Sequence, residues 1–222
     1  MKKVLLGLLC LGILLGTSAC SSNVETEKKT KDEKLGIYEK ELTAGSYIIG
    51  IDIPAGTYNF VALKNKGTLD TGEGGLYISL NVETEEDSSK DFKNAELIDN
   101  TTLIISGGLK VKITSQNKVN LNNANQRKAE EKASYKLKNG NFKANKDFDP
   151  GVYVIKAISG GGEVSASNSD FYEYMISPKA DPYDLDLLYT TDNYSNSYQF
   201  IEFDNDTILT VQGLAIELYK VK

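Results

Sequence analysis

The sequence repeats itself at an offset of 95 residues, and a chain with that period folds as two copies of one small unit. GSYIIGIDIPAGTYNFVAL, Gly45 to Leu63, aligns without gaps with GNFKANKDFDPGVYVIKAI, Gly140 to Ile158. Gly45/Gly140, Asp52/Asp147, Gly56/Gly151, Tyr58/Tyr153 and Ala62/Ala157 are identical pairs, and Tyr47/Phe142, Ile53/Phe148, Phe60/Ile155 and Leu63/Ile158 stay apolar. A second block follows in the same order. NTTLIISGGLKVKI, from Asn100, matches NDTILTVQGLAIEL, from Asn205, at an offset of 105, keeping Asn, Thr, Gly and Leu. The second copy has therefore gained ten residues between the blocks, and the units run over residues 42–114 and 137–222.

Each block reads as β structure. The β-branched and aromatic runs Tyr47–Ile51 and Thr57–Leu63 flank Asp52-Ile53-Pro54-Ala55-Gly56, a turn signal. Pro54 presets φ, Gly56 supplies positive φ at the exit, and Asp52 is placed to bond forward to turn amides. In the second copy Asp147, Pro150 and Gly151 play these parts, with the proline one place closer to the glycine, so a slightly different turn is expected. Leu76–Val82 alternates apolar and polar, the mark of a half-buried strand. Leu103–Ile105 and Leu109–Ile113 read as two strands around Gly107-Gly108, with Lys110 and Lys112 outward. Short strands with frequent turn signals predict an all-β protein, two tandem antiparallel sandwiches or small barrels. Residues 115–136 form the linker; NNANQRKAEEKASYKL, from Asn122, reads as either a short connecting helix or an extended spacer.

The N-terminus carries an address. Lys2 and Lys3 precede an apolar run from Val4 to Leu15, and Thr17-Ser18-Ala19 sets small residues before Cys20. This resembles bacterial lipoprotein signal peptides, which implies removal of residues 1–19 and lipid on Cys20. Residues 20–41 are then anchor and tether, since SSNVETEKKTKDEK has dense mixed charge and one apolar residue. An uncleaved span is the alternative, but the apolar part is only 12 residues long, too short to cross. Cleavage leaves 23 basic against 31 acidic residues, a net charge of −8, which disfavours nucleic acid. Cys10 leaves with the signal, so with Cys20 acylated neither a free thiol nor a disulfide remains. Histidine is absent, removing His-based triads, most zinc sites and the usual neutral-pH general base. Arg127 is the only arginine in a lysine- and asparagine-rich chain, a bias associated with Gram-positive hosts.

The run G-x-Y-x-x-G-x-D-I-P-A-G-x-Y, Gly45 to Tyr58, resembles a repeat of secreted and lipid-anchored surface proteins of Gram-positive bacteria, often in tandem. The resemblance implies an extracytoplasmic, membrane-attached location and a β fold, and no particular activity. In the second copy Phe142 and Asp149 stand where the first has Tyr47 and Pro54.

Candidate chemistry is sparse. Asp181, Asp184 and Asp186 sit close enough to collect calcium, yet lack the spacing and glycine of a calcium loop and read better as a solvated turn. Glu73 and Glu163 lie in glycine-rich stretches and suggest a glycosidase pair, although the repeat makes them loop residues. Gly160-Gly161-Gly162 reads as a flexible turn without the Lys-Ser/Thr of a phosphate loop. The second copy concentrates tyrosine at Tyr172, Tyr174, Tyr183, Tyr189, Tyr194 and Tyr198, residues that suit sugar or protein recognition. Against this, Tyr172 and Tyr174 share a strand face with Ile176 and could simply pack. The expectation is a non-enzymatic, membrane-tethered surface protein that binds a glycan or protein, without cofactor or metal. An accessory subunit of an envelope complex is second, and a carboxylate-dependent hydrolase third.

Overall fold

The computed structural model describes residues 33–83, 88–167, 169–180 and 193–222. Glu33–Lys222 form one compact unit, and the described residues are all-β. In the first half, one four-stranded sheet has the order β2 (Glu39–Leu42), β9 (Lys110–Ser115), β4 (Gly56–Lys64), β7 (Asp91–Leu97). A second set runs β3 (Gly45–Ile48), β8 (Thr102–Ile105), β5 (Lys66–Asp70), β6 (Tyr77–Asn81). The second half repeats this with fewer, longer strands. β13 (Gly151–Ala166) does the work of β4 and β5, and β16 (Ile208–Lys220) that of β8 and β9. β11 (Tyr135–Leu137) and β12 (Gly140–Lys143) pair along β16, while β14 (Tyr172–Ile176) and β15 (Ser197–Phe203) pair along β13. The named strands within each half pair antiparallel, with parallel contacts confined to isolated bridges such as Ile49 with Ile53, and the sheets stay open.

The repeated turn shows why the motif takes this form. Asp52 accepts a hydrogen bond from the Ile48 N–H at 2.7 Å, and Asp147 accepts one from Lys143 at 2.8 Å. The aspartates thus bond back to the preceding strand, not forward into the turn as the sequence suggests. Gly50 N–H donates to Ile53 C=O at 2.7 Å and Asn145 N–H to Phe148 C=O at 2.8 Å, so both turns close alike and the displaced Pro150 does not alter them. Gly50 and Asn145 both have positive φ, a conformation glycine and asparagine adopt at little cost. The Tyr58 hydroxyl donates to Pro54 C=O and that of Tyr153 to Asp149 C=O, each at 2.7 Å, tying the strand that leaves the turn to its start. Tyr58→Phe and Tyr153→Phe are each expected to cost about 1 kcal/mol in urea unfolding, one net hydrogen bond apiece.

Gly107-Gly108 is not a hairpin. β8 and β9 belong to different sheets, and the glycines carry the chain from one to the other, as β16 does without interruption at Gly213. A Cβ on Gly107 would lie 3.1 Å from Lys66 O and 3.4 Å from Gly67 Cα; on Gly213 it would lie 2.8 Å from Gly161 O and 3.4 Å from Gly162 Cα. Gly213 is thus the counterpart of Gly107, and Gly108 is an extra residue of the first half. Upstream of it the true offset is 106, which matches Asn100 to Asp206, both with positive φ. Gly160-Gly161-Gly162, read as a flexible turn, lies inside β13, and Glu163 with it.

Two apolar cores follow the halves. Tyr58, Phe60, Leu69, Leu103 and Ile113 belong to the first, and Tyr153, Phe203, Leu209, Ile216 and Leu218 to the second. Residues 115–136 hold no long helix. Val119–Asn120 (β10) pairs with Leu35–Gly36 (β1), Leu121–Asn123 makes one 3-10 turn, and Val119 and Leu121 pack on the first core. The segment then runs along the end of β16, where Glu130 N–H donates to Lys220 C=O at 2.8 Å. It is a strap laid on both halves rather than a free spacer.

Candidate functional site

The halves meet where β15 pairs in parallel with β3, Gln199 beside Gly45. Gln199 N–H donates to Ala44 C=O at 2.9 Å, and a Cβ on Gly45 would lie 2.6 Å from Gln199 Cβ, so the repeat's first glycine serves this junction. Cores are exchanged across it: Ala44 is buried in the second, and Phe200 packs on the first. Phe200 has φ +62°, at the bulge where β15 slips against β13 between Tyr153 and Ile155. The same bulge in β7 holds Asn94, also at φ +62°. Asparagine accepts that backbone readily and phenylalanine does not, so contacts must hold Phe200 there. They come from Tyr47, whose ring meets it edge-on at 5.7 Å, and from Arg127, whose guanidinium lies 4.4 Å above the ring. Arg127 also donates to Ser46 C=O at 2.8 Å and pairs with Asp52. The strap, the first turn and the second half are thereby fastened at one point.

On another face of the junction lies a groove of about 700 Å³, within the range of ligand pockets. The first half lines it with Thr43, Asn65, Gly107 and Lys110, among others, and the second with Ser177, Tyr194, Ser195 and Asn196. None of the described residues that line it carries a carboxylate. Ser195 is 5% exposed, and its hydroxyl is the buried side-chain polar atom left without a hydrogen-bond partner among the described residues. Beneath the rim, Glu173 of β14 accepts a hydrogen bond from Gly107 N–H at 3.3 Å, another tie between the halves. It is 5% exposed, and burial pushes its carboxyl up to about 8, only partly offset by the bond from Gly107. At neutral pH it is mostly protonated.

β14 settles the tyrosine question in part. Glu173 and Met175 turn inward, while Tyr172 is 49% and Tyr174 36% exposed, so the face read as a packing face points outward. The Tyr172 hydroxyl donates to that of Tyr174 at 3.1 Å, and their rings meet edge-on at 5.3 Å. That bond, with burial and the Glu163 carboxylate behind it, pushes the Tyr172 phenol above its ordinary range. Tyr174 in turn lies 5.6 Å from Tyr194, which lines the groove. Three of the six tyrosines thus form one strip leading into the groove. Tyr198 is a core residue, its ring 4.8 Å from Phe171. Tyr183, Tyr189 and the aspartates from Asp181 to Asp186 lie outside the described residues, as does Cys20. Glu73 sits in the exposed loop between β5 and β6 whereas Glu163 is a strand residue opposite Tyr174, so repeat symmetry does not relate them. Among the described residues no three His, Cys, Asp or Glu side chains gather as metal ligands.

Sequence reasoning missed Glu173, Ser195 and Arg127. A glutamate between two tyrosines in an alternating strand, and a single arginine in the chain, are the signals that were there to read.

No family model matches the chain. No curated protein matches it either. Among solved structures, "cAMP bound PfPKA-R (141-441)" is similar at 12% identity over 83% of this chain and 70% of that one, with a TM-score of 0.18, a value too low to support any statement about fold or ligand.

Proposed function

We propose that the protein is a lipid-anchored, extracytoplasmic binding protein, held to the membrane through Cys20, which takes a ligand of the cell envelope in the groove between its halves without chemical turnover. The observation that carries this reading is the groove's make-up: it needs both halves, is continued by the Tyr172-Tyr174-Tyr194 strip, and among the described residues is lined by hydroxyls, amides and two lysines. Tyrosine presents a large rigid contact surface with a polar tip, and two such side chains stand exposed beside the groove.

Two measurements test it. Cys20→Ser is expected to abolish lipid labelling and release the protein from the membrane; wild-type chain recovered unlabelled with residues 1–19 intact would overturn the anchored reading. The soluble chain, residues 21–222, is expected to sediment with envelope fragments, and Tyr172→Ala with Tyr174→Ala to weaken that at least about tenfold with little change in melting temperature, as for a contact hot spot. Equal sedimentation of wild type and double variant would refute the site. Crosslinking in cells to one stoichiometric protein partner would favour the accessory-subunit alternative instead.

A further inference from the structure

We infer that the groove's ligand is a neutral oligosaccharide, an assignment that rests on the binding reading above and narrows it to one chemistry. Three observations carry it. First, the polar groups of the lining are of the kind that both donate and accept: the hydroxyls of Thr43, Ser177, Ser195 and Ser197 and the amides of Asn65 and Asn196. Sugar hydroxyls have the same dual character, whereas a carboxylate or phosphate ligand would call for fixed cations. The lysines here are poorly suited to that, since Lys110 is already paired with Glu41 and Lys64 stands exposed.

Second, the Ser195 hydroxyl is buried and unpartnered at the groove wall. A buried polar atom in that state is costly, and a ligand hydroxyl is the natural group to satisfy it. Third, the groove runs on into aromatic rings: Tyr194 lines it, Tyr174 lies against Tyr194, and Tyr172 donates its hydroxyl to Tyr174. Beyond the buried Tyr194, the exposed Tyr172 and Tyr174 offer apolar ring surface to the C–H sides of a sugar and hydroxyl tips to its edges, so contacts extend past the groove itself, which suits a chain of sugars better than one.

A peptide adding itself as a strand is disfavoured at this place. The edge of β14 next to the groove is already occupied by residue 195: Ser195 N–H donates to Tyr174 C=O at 3.0 Å and Ile176 N–H to Ser195 C=O at 2.9 Å. The backbone groups that strand addition would use there are taken.

The test is a glycan array and calorimetric titration of the soluble chain with neutral oligosaccharides released from the host's envelope polysaccharide, beside the sedimentation assay. Saturable binding is expected, weakened about tenfold or more in Ser195→Ala, while the melting temperature of the free variant stays equal or rises because an unsatisfied hydroxyl has been removed. That opposition of effects is what a merely structural serine would not produce. Sedimentation with envelope fragments but no response to any neutral glycan would overturn this inference and leave the binding reading standing. Absence of both would overturn the two together. Glycan binding unchanged in Ser195→Ala and in Tyr174→Ala would place the sugar elsewhere and refute the groove.

Discussion

Glu173→Gln is expected to stabilise the protein at pH 7 by roughly 3 kcal/mol, and by much less at pH 5. The glutamate carboxyl is held at about 8 in the folded chain against 4.5 as its ordinary value. Between those values the folded state keeps a proton that the unfolded chain has lost, so the group's contribution is fully present below pH 4.5 and is lost as pH rises to about 8. Glutamine keeps an acceptor for the Gly107 N–H and never ionises. The groups facing Glu173 sharpen the effect: Tyr198, itself pushed up by burial and by the glutamate, offers no positive charge to an ionised carboxylate. Urea unfolding of wild type and variant at pH 5, 7 and 9 should give curves that diverge with pH and then run parallel. Parallel curves throughout would mean that Glu173 is solvated in the folded protein. Above pH 8 the ionised side chain sits under the groove rim at the junction of the halves, so ligand binding by the wild type should weaken there before the fold is lost.

Arg127→Leu should act in the opposite direction and cost about 3–5 kcal/mol, because it leaves a charge buried without its partner. The Asp52 side chain is only 2% exposed, and its carboxylate also caps the Ile48 N–H. The variant removes in addition the donor to Ser46 C=O and the cation above Phe200, whose strained backbone depends on that contact. Adding Asp52→Asn to Arg127→Leu should recover part of the loss, since the amide can still accept from Ile48 while the uncompensated charge is gone. Asp147 supplies the internal control: it accepts the equivalent bond from Lys143 but is exposed, and since an amide can still accept that bond, Asp147→Asn should cost less than about 1 kcal/mol. Chemical denaturation of the three variants beside the wild type measures these differences. A double variant no more stable than Arg127→Leu would locate the loss in Phe200 rather than in the ion pair.

How far the sequence could be read differs from place to place, for physical reasons. The motif from Gly45 to Tyr58 was legible because each residue answers a local need, a turn, a cap or a strand, and local needs leave local patterns. The second block was aligned one residue out of frame upstream of Gly108, because Asn100 pairs with Asn205 by identity while the backbone pairs it with Asp206. Identity and conformation part company where asparagine and aspartate serve equally at positive φ. Burial of alternate residues in β14 was legible as a period but not as a direction: nothing local says that Glu173 rather than Tyr172 faces inward, since that is decided by the Gly107 turn of the other half. The groove was invisible for the same reason. Its walls come from residues about seventy to one hundred and fifty positions apart, brought together by the pairing of β15 with β3 and by the bond from Gly107 to Glu173.

That pairing has a consequence for the molecule's dealings with its own kind. A repeat that docks on its neighbour head to tail offers the same contact to a third copy, and such contacts grow fibres unless something stops them. Here β7 is the first half's counterpart of β15, and among the described residues β4 is its one strand partner. At its bulge stands Asn94 in place of Phe200, and that amide is engaged by Gln116, whose Nε2 donates to Asn94 Oδ1 at 2.6 Å and to Asn59 Oδ1 at 2.8 Å. At the other end of the series, Asn139 precedes the β12 glycine and spends its side-chain oxygen on Gly213 N–H at 2.8 Å. The anchoring ring and the small apolar residue that make the internal junction are thus both replaced by self-satisfied amides at the two outer ends. The chain makes the docking contact once, inside itself, and neither outer end keeps the residues that form it.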